Sequence, residues 1–181
     1  MLDKLITVWY YNYRKREREV LKMRKTLVFD MDGTIADLYG VEGWLEMLRT
    51  ENPFPYEIAK PIWDMERLVN VIRALQDFGI EQRIVTWLSM NSSEEYKTET
   101  RRAKREWLEQ FDFPYDHFHG VQYGATKADS VRKFLADDET AILIDDSAKV
   151  RKGWHLGETV DPTEINVIDF LETLLESLIE E

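Results

Sequence analysis

Thr26-Leu27-Val28-Phe29-Asp30-Met31-Asp32-Gly33-Thr34 decides how this chain reads. An apolar, partly β-branched run ends in two acids spaced by one residue, then a glycine and a hydroxyl. The run predicts a buried strand of a parallel sheet. The acids then fall at its carboxyl end, where open α/β sheets bind their ligands. Acids at i and i+2 on an extended backbone point the same way. One carboxylate can attack a phosphoryl group and become an aspartyl phosphate. The other can protonate the leaving oxygen and then activate water. Gly33 permits a sharp turn, and Thr34 offers a hydroxyl and an N–H near the phosphate. The plainer reading is a strand end whose acids cap a helix.

Working outward, strand-like and helix-like segments alternate. Val41 to Arg49 has helical spacing, and Asn52-Pro53-Phe54-Pro55 breaks it. After Pro61, a helix presents Ile62, Met65, Leu68, Val69, Ile72 and Leu75 on its apolar face, with Gly79 as its stop. Arg83 to Leu88 is the second strand. Ser89 to Ser93 turns into a long charged helix, about Glu94 to Gln110, with Ala103, Trp107 and Leu108 facing inward. Its remaining face, including Arg101 and Arg105, reads as a solvated surface. His117 to Val121 is a short third strand, and its two histidines read as structural rather than metal-binding. Ala125-Thr126-Lys127-Ala128-Asp129 opens another helix, running to Ala136. Thr140 to Ser147 is a fourth strand, again ending in acids, Asp145-Asp146. Glu158 to Asp161 is a short fifth strand, and Thr163 to Ile179 a closing amphipathic helix. Such alternation predicts a mainly parallel five-stranded sheet in a Rossmann-like three-layer α/β/α fold.

Residues 1–23 read as a helical extension preceding a domain over 24–181. Leu2, Ile6, Trp9 and Tyr13 fall on one helical face, and Arg14-Lys15-Arg16-Glu17-Arg18 follows. Such a helix can pack on the domain or join subunits as a homo-oligomer. The rival reading is a membrane or nucleic-acid arm.

The net charge of −11 argues against nucleic-acid binding through the whole surface and leaves room for a local basic patch. There is no cysteine, hence no disulfide and no thiolate metal site. That fits a reducing compartment, and a cytoplasmic location is expected. No apolar run approaches membrane-span length.

Four features line up in order at strand ends or helix starts: Asp30-x-Asp32-Gly33-Thr34, Thr86, Lys127 and Asp145-Asp146. Each alone is weak, but their order and placement are not. From about residue 25 to the end, the chain resembles the haloacid dehalogenase superfamily of phosphohydrolases, and in detail its small phage and bacterial members. The second acid argues for phosphate rather than dehalogenase chemistry. The resemblance implies Asp30 as nucleophile and Asp32 as general acid/base. It implies Thr86 as a phosphoryl hydrogen-bonder and Lys127 as the cation that neutralises phosphate and keeps Asp30 ionised. Gly33, Thr34 and Trp87 are further candidates for substrate contact. Mg²⁺ is the implied cofactor, held by Asp30, the Asp32 carbonyl, Asp145 and Asp146, with Asp146 as the better direct ligand.

Between Thr34 and Thr86 there is room for a connecting helix and a small insert. The expectation is therefore no large cap, only a small lid around residues 38–62. The function expected is Mg²⁺-dependent hydrolysis of phosphomonoesters through an aspartyl phosphate, with nucleotides or phosphorylated nucleic-acid ends as candidate substrates. The alternatives are a phosphotransferase with the same nucleophile and a non-catalytic binding or oligomerisation protein.

Overall fold

The computed structural model describes residues 25–137 and 139–180. The expected extension, residues 1–23, lies outside them. The described elements run in chain order as follows. β1 (Lys25–Phe29) leads to β2 (Ala36–Asp37), a 3-10 turn (Leu38–Gly40), α1 (Trp44–Arg49), α2 (Phe54–Ile58) and β3 (Lys60–Pro61). Then come α3 (Met65–Asp77), β4 (Glu81–Leu88), α4 (Glu94–Gln110), β5 (His117–Gln122) and α5 (Lys127–Arg132). β6 (Thr140–Ile144), α6 (Ala148–Lys152), β7 (Thr159–Val160) and α7 (Val167–Glu180) complete the chain.

Five strands form one parallel sheet in the order β5-β4-β1-β6-β7. β1 is central, which is why Leu27, Val28 and Phe29 are fully buried. Alternation along the strand sends Leu27 and Phe29 into the core with α3, α4 and α7, and Val28 into the core with α5. The result is the three-layer Rossmann-like architecture that the alternating pattern predicted. The chain leaves β1 toward β4 on one side and later fills β6 on the other, so the sheet's switch point lies beside the end of β1.

The segment between β1 and α3 is small. β2 and β3 pair antiparallel at its base, Ala36 opposite Pro61. This two-residue ribbon was not expected from sequence. Leu38, Tyr56 and Ala103 form a satellite core that seats the segment on α4, with Trp44 and Leu48 packed against it. The Trp107 indole N–H donates to the Ala59 carbonyl at 2.7 Å, and Glu51 accepts from the Ser93 N–H and hydroxyl at the start of α4.

Several expected boundaries move, each for a local reason. Asn52 to Pro55 does interrupt the helix, but α2 starts at Phe54, because proline in a first helical turn removes no needed hydrogen bond. Ile62 lies outside α3, which starts after Asp64, whose carboxylate accepts from the Arg67 N–H. α5 stops at Arg132 rather than Ala136, where the backbone tightens into three-residue turns and the Arg132 guanidinium donates to the Ala136 carbonyl. The closing helix starts at Val167, not Thr163, because Asn166 is the residue whose side chain caps it, accepting from the N–H groups of Ile168 and Asp169.

Candidate active site

The register of β1 builds the site. Phe29 pairs with Ile144, so Asp30 comes abreast of Asp145 one residue beyond the ladder, and the Asp30 N–H still donates to the Ile144 carbonyl at 2.9 Å. On the other flank, Phe29 pairs with Ile84, which brings Thr86 to the same end of the sheet. The turn after Asp30 closes on itself: the Ile35 and Ala36 N–H groups both donate to the Met31 carbonyl, and the Gly33 N–H donates to the Ala36 carbonyl. Gly33 adopts φ +79°, a left-handed conformation that favours glycine.

Asp30, Asp145 and Asp146 each offer a carboxylate oxygen, and these oxygens lie within 4.8 Å of one another. Lys127, from the start of α5, is buried between two of them, its ammonium 2.7 Å from Asp30 and 2.8 Å from Asp145. Burial alone would lower the Lys127 pKa, but Asp30 and Asp145 overcome it and hold the group above its ordinary value. Burial, reinforced by the charge of Asp30, lifts Asp145 and Asp146 to about 6, against the pull of Lys127. Asp145 is fully enclosed and uses both oxygens, one toward Lys127 and one accepting from the Ser147 N–H. Asp146 is half-buried. Its N–H donates to the Thr34 hydroxyl at 3.1 Å, tying the turn after β1 to the end of β6. Thr34 is itself fully buried, and its carbonyl accepts from the Trp63 indole.

The donor set fits Mg²⁺: hard carboxylate oxygens, few in number, one of them on a half-buried residue. Burial first and the charge of Asp30 second raise Asp145 and Asp146, and a divalent cation would offset both by favouring the ionised carboxylates.

The Asp32 carboxylate turns elsewhere. One oxygen accepts from Lys104, while the other is buried without a partner. Lys104 is fully enclosed and also donates to the Thr86 hydroxyl at 2.6 Å and the Trp87 carbonyl at 3.3 Å, with its charge 4.6 Å from the Tyr56 ring centroid. Burial pushes Asp32 above the usual carboxylate range, Lys104 opposing and Asp30 adding to the shift. Because Thr86 accepts from Lys104, its own hydroxyl proton remains to donate. Trp87 donates its indole N–H to the Ala125 carbonyl, packs on Tyr123 at 4.8 Å and lies under the Lys127 ammonium at 5.2 Å.

The structure thus gathers Asp30, Lys127, Asp145 and Asp146 into one cluster, and Lys104 holds Asp32 and Thr86 together beside it. Lys104 is the residue that sequence reasoning missed. The available signal was its phase: Tyr96, Thr100, Ala103, Lys104, Trp107 and Leu108 share the buried face of α4. A lysine at a core position demands a buried partner.

No family model matches the sequence, and no curated protein matches it at a significant level. Among solved structures, the fold is similar to a chain of the Pnkp1/Rnl/Hen1 RNA repair complex, at 14% identity and a TM-score of 0.52, over 77% of this chain and 42% of that one. This chain therefore spans about two fifths of that neighbour's length. A second match is D,D-heptose 1,7-bisphosphate phosphatase from Burkholderia Thailandensis, at 14% identity over 81% of this chain and 98% of that one, but its TM-score of 0.41 is too low to carry an argument. At such identities the likeness concerns the fold alone.

Proposed function

We propose that the protein hydrolyses phosphomonoesters through an aspartyl-phosphate intermediate. The observation that carries this reading is the Asp30–Lys127–Asp145–Asp146 cluster at the carboxyl end of the central strands. Asp30 is the nucleophile: one oxygen faces the Lys127 ammonium, and the other is available to attack phosphorus. As the new P–O bond forms, the ester P–O bond breaks and Asp32 protonates the departing oxygen. Water then attacks the phosphorus of the aspartyl phosphate, gives its proton to Asp32 and releases Asp30. Asp32, with one oxygen held by Lys104 and the other without a hydrogen-bond partner, is the carboxyl assigned both proton transfers. Thr86 donates to a phosphoryl oxygen, and Lys127 neutralises charge there. Asp30, Asp146 and the Asp32 carbonyl would hold Mg²⁺, with Asp145 beside them. Bound there, the ion supplies charge neutralisation at the phosphoryl oxygens.

The short segment from Leu38 to Ile62 acts as a small lid, with Tyr39 at its edge over Gly33 and Asp146. A site without a large cap admits phosphorylated nucleotides or nucleic-acid ends as substrates. The same nucleophile can pass its phosphoryl group to an alcohol, and an added acceptor separates the two activities.

The test is p-nitrophenyl phosphate turnover with Mg²⁺, comparing the wild type with Asp30→Asn. We expect loss of turnover and of phosphoenzyme in the variant, with its melting temperature retained. Undiminished turnover in verified Asp30→Asn protein would remove the mechanism.

A further inference from the structure

β5 is the edge strand of the sheet, and a groove of about 380 Å³ runs along it between α4 and α5. Arg101 and Arg105 line it from α4, Lys133 and Phe134 from the end of α5, and Phe118 and Gly120 from the strand. The chain carries 35 acids against 24 lysines and arginines, yet no carboxylate lines this groove. Neighbouring cations on the same helices are paired, Arg102 with Glu106 and Arg132 with Asp137. Among the described residues, Arg101, Arg105 and Lys133 form no ion pair. Glu94 is near enough to Arg101 to feel its charge, but its carboxylate bonds to Lys97.

The groove also carries aromatic surface. Arg105 lies over the Phe118 ring at 4.9 Å, and Phe134 is 55% exposed. His119 packs against Phe134 at 4.9 Å, and burial, with Arg83 nearby, lowers its pKa to about 4, so the arginines and Lys133 supply the groove's charge at neutral pH.

The groove points toward the catalytic cluster. Gly120 pairs with Thr86 and Val121 with Trp87, and the next exposed ring, Tyr123, packs on Trp87 beside Lys127. From β1 to the edge strand β5 is two strand spacings, roughly 10 Å. One small ester does not span that distance, whereas a polyanionic chain does.

We infer that this edge groove binds the backbone of a single-stranded nucleic acid, with Trp87 and Tyr123 as a base-stacking platform, and delivers a terminal phosphate to Asp30. A basic groove interleaved with aromatic rings is how unpaired strands are held. An acidic peptide would match the charge, but it would give the stacking platform and the adjoining phosphate chemistry no role. The inference rests on the phosphomonoester reading for what the strand delivers, and the binding itself is testable separately.

Asp30→Asn protein is titrated into a fluorescent single-stranded oligonucleotide of about ten nucleotides, within the site sizes such grooves take. Binding should weaken with salt at a log–log slope of about −2, as three cation–phosphate contacts on a single strand require. Adding Arg101→Gln, Arg105→Gln and Lys133→Gln should bring the slope near zero. In the otherwise wild-type enzyme, the triple variant should lower the ratio of kcat/KM for a phosphate-ended oligonucleotide to kcat/KM for p-nitrophenyl phosphate by at least tenfold. Tyr123→Ala should lower the same ratio about tenfold, the loss of one base stack. Melting curves check that each variant folds. If Asp30→Asn protein binds the oligonucleotide with the expected slope but wild-type enzyme cleaves neither phosphate ester, the groove stands and the phosphatase reading falls. If p-nitrophenyl phosphate is hydrolysed but the oligonucleotide does not bind, or the folded triple variant binds it equally well, the groove assignment is wrong. A change in sedimentation mass in the triple variant, with binding intact, would make the groove a subunit contact instead.

Discussion

Lys104 shows how one side chain can organise a site without standing at its reacting centre. Its ammonium holds Asp32 and Thr86 together and lies over Tyr56, so it links the turn after β1, the end of β4, and α2. Removing it leaves Asp32 enclosed without its main donor. A buried carboxylate in that state takes up a proton or swings away. Lys104→Met, close in volume, should therefore lower kcat for p-nitrophenyl phosphate about a hundredfold, in the range lost with a general acid/base. KM should change less, and the fold should persist. Steady-state kinetics with a circular-dichroism check measures this, and a folded Lys104→Met enzyme with wild-type kcat would show that Asp32 needs no such partner. In the sequence, Asp30, Asp32, Thr86, Lys127, Asp145 and Asp146 were legible because each sits at a strand end or helix start, where position alone suggests a role. Lys104 sits mid-helix among charges of both signs, and only its phase relative to Trp107 and Leu108 separated it from the solvated face.

At the level of elements, two glycines mark where backbone conformation shapes the candidate site and where it serves packing. Gly33 has φ +79°, and a Cβ there would lie 2.5 Å from the Tyr39 ring and 2.6 Å from the Asp146 carboxylate. Gly157, at φ +149°, precedes β7, and a Cβ there would come within 2.6 Å of the Ala141 carbonyl. Either alanine should cost about 1–3 kcal/mol of stability through strain. Gly33→Ala should also shift Asp146 and raise the Mg²⁺ concentration needed for half-maximal activity about tenfold, whereas Gly157→Ala should melt earlier with unchanged kcat. Equal Mg²⁺ dependence in the two variants would detach Asp146 from the metal. The strands and long helices followed from hydrophobic period and turn residues, and the burial of β1 followed from its unbroken apolar run. The β2–β3 ribbon was invisible because two residues carry no period. The start of α2 at Phe54 was not expected because Pro55 counts as a breaker inside a helix but fits its first turn.

Across the whole molecule, the sheet concentrates negative charge at one end, and metal and pH should act on stability together. Burial and the charge of Asp30 raise Asp145 and Asp146 from 3.8 to about 6. Without metal, the folded state keeps protons between those values that the unfolded chain has released. Stability from these groups is therefore lost as pH rises from about 4 to about 6, and stays low above. His119 acts in the opposite sense. Its pKa falls from 6.5 to about 4, so the unfolded chain binds the extra proton and stability from this group rises with pH over much the same window. The raw pH profile mixes the two. The difference in melting temperature with and without Mg²⁺ isolates the acids, because His119 lies on β5 away from the cluster and cancels. A cation bound to the folded state alone stabilises by about 2.7 kcal/mol at a hundred times its dissociation constant, and protons on Asp145 and Asp146 compete with it. The Mg²⁺-dependent rise should thus be small near about pH 5 and grow to several degrees by about pH 7.5, with EDTA reversing it. Scanning calorimetry at the two pH values decides the matter: a Mg²⁺ effect that is absent at the higher pH, or larger at the lower one, would mean that these carboxylates do not hold the ion.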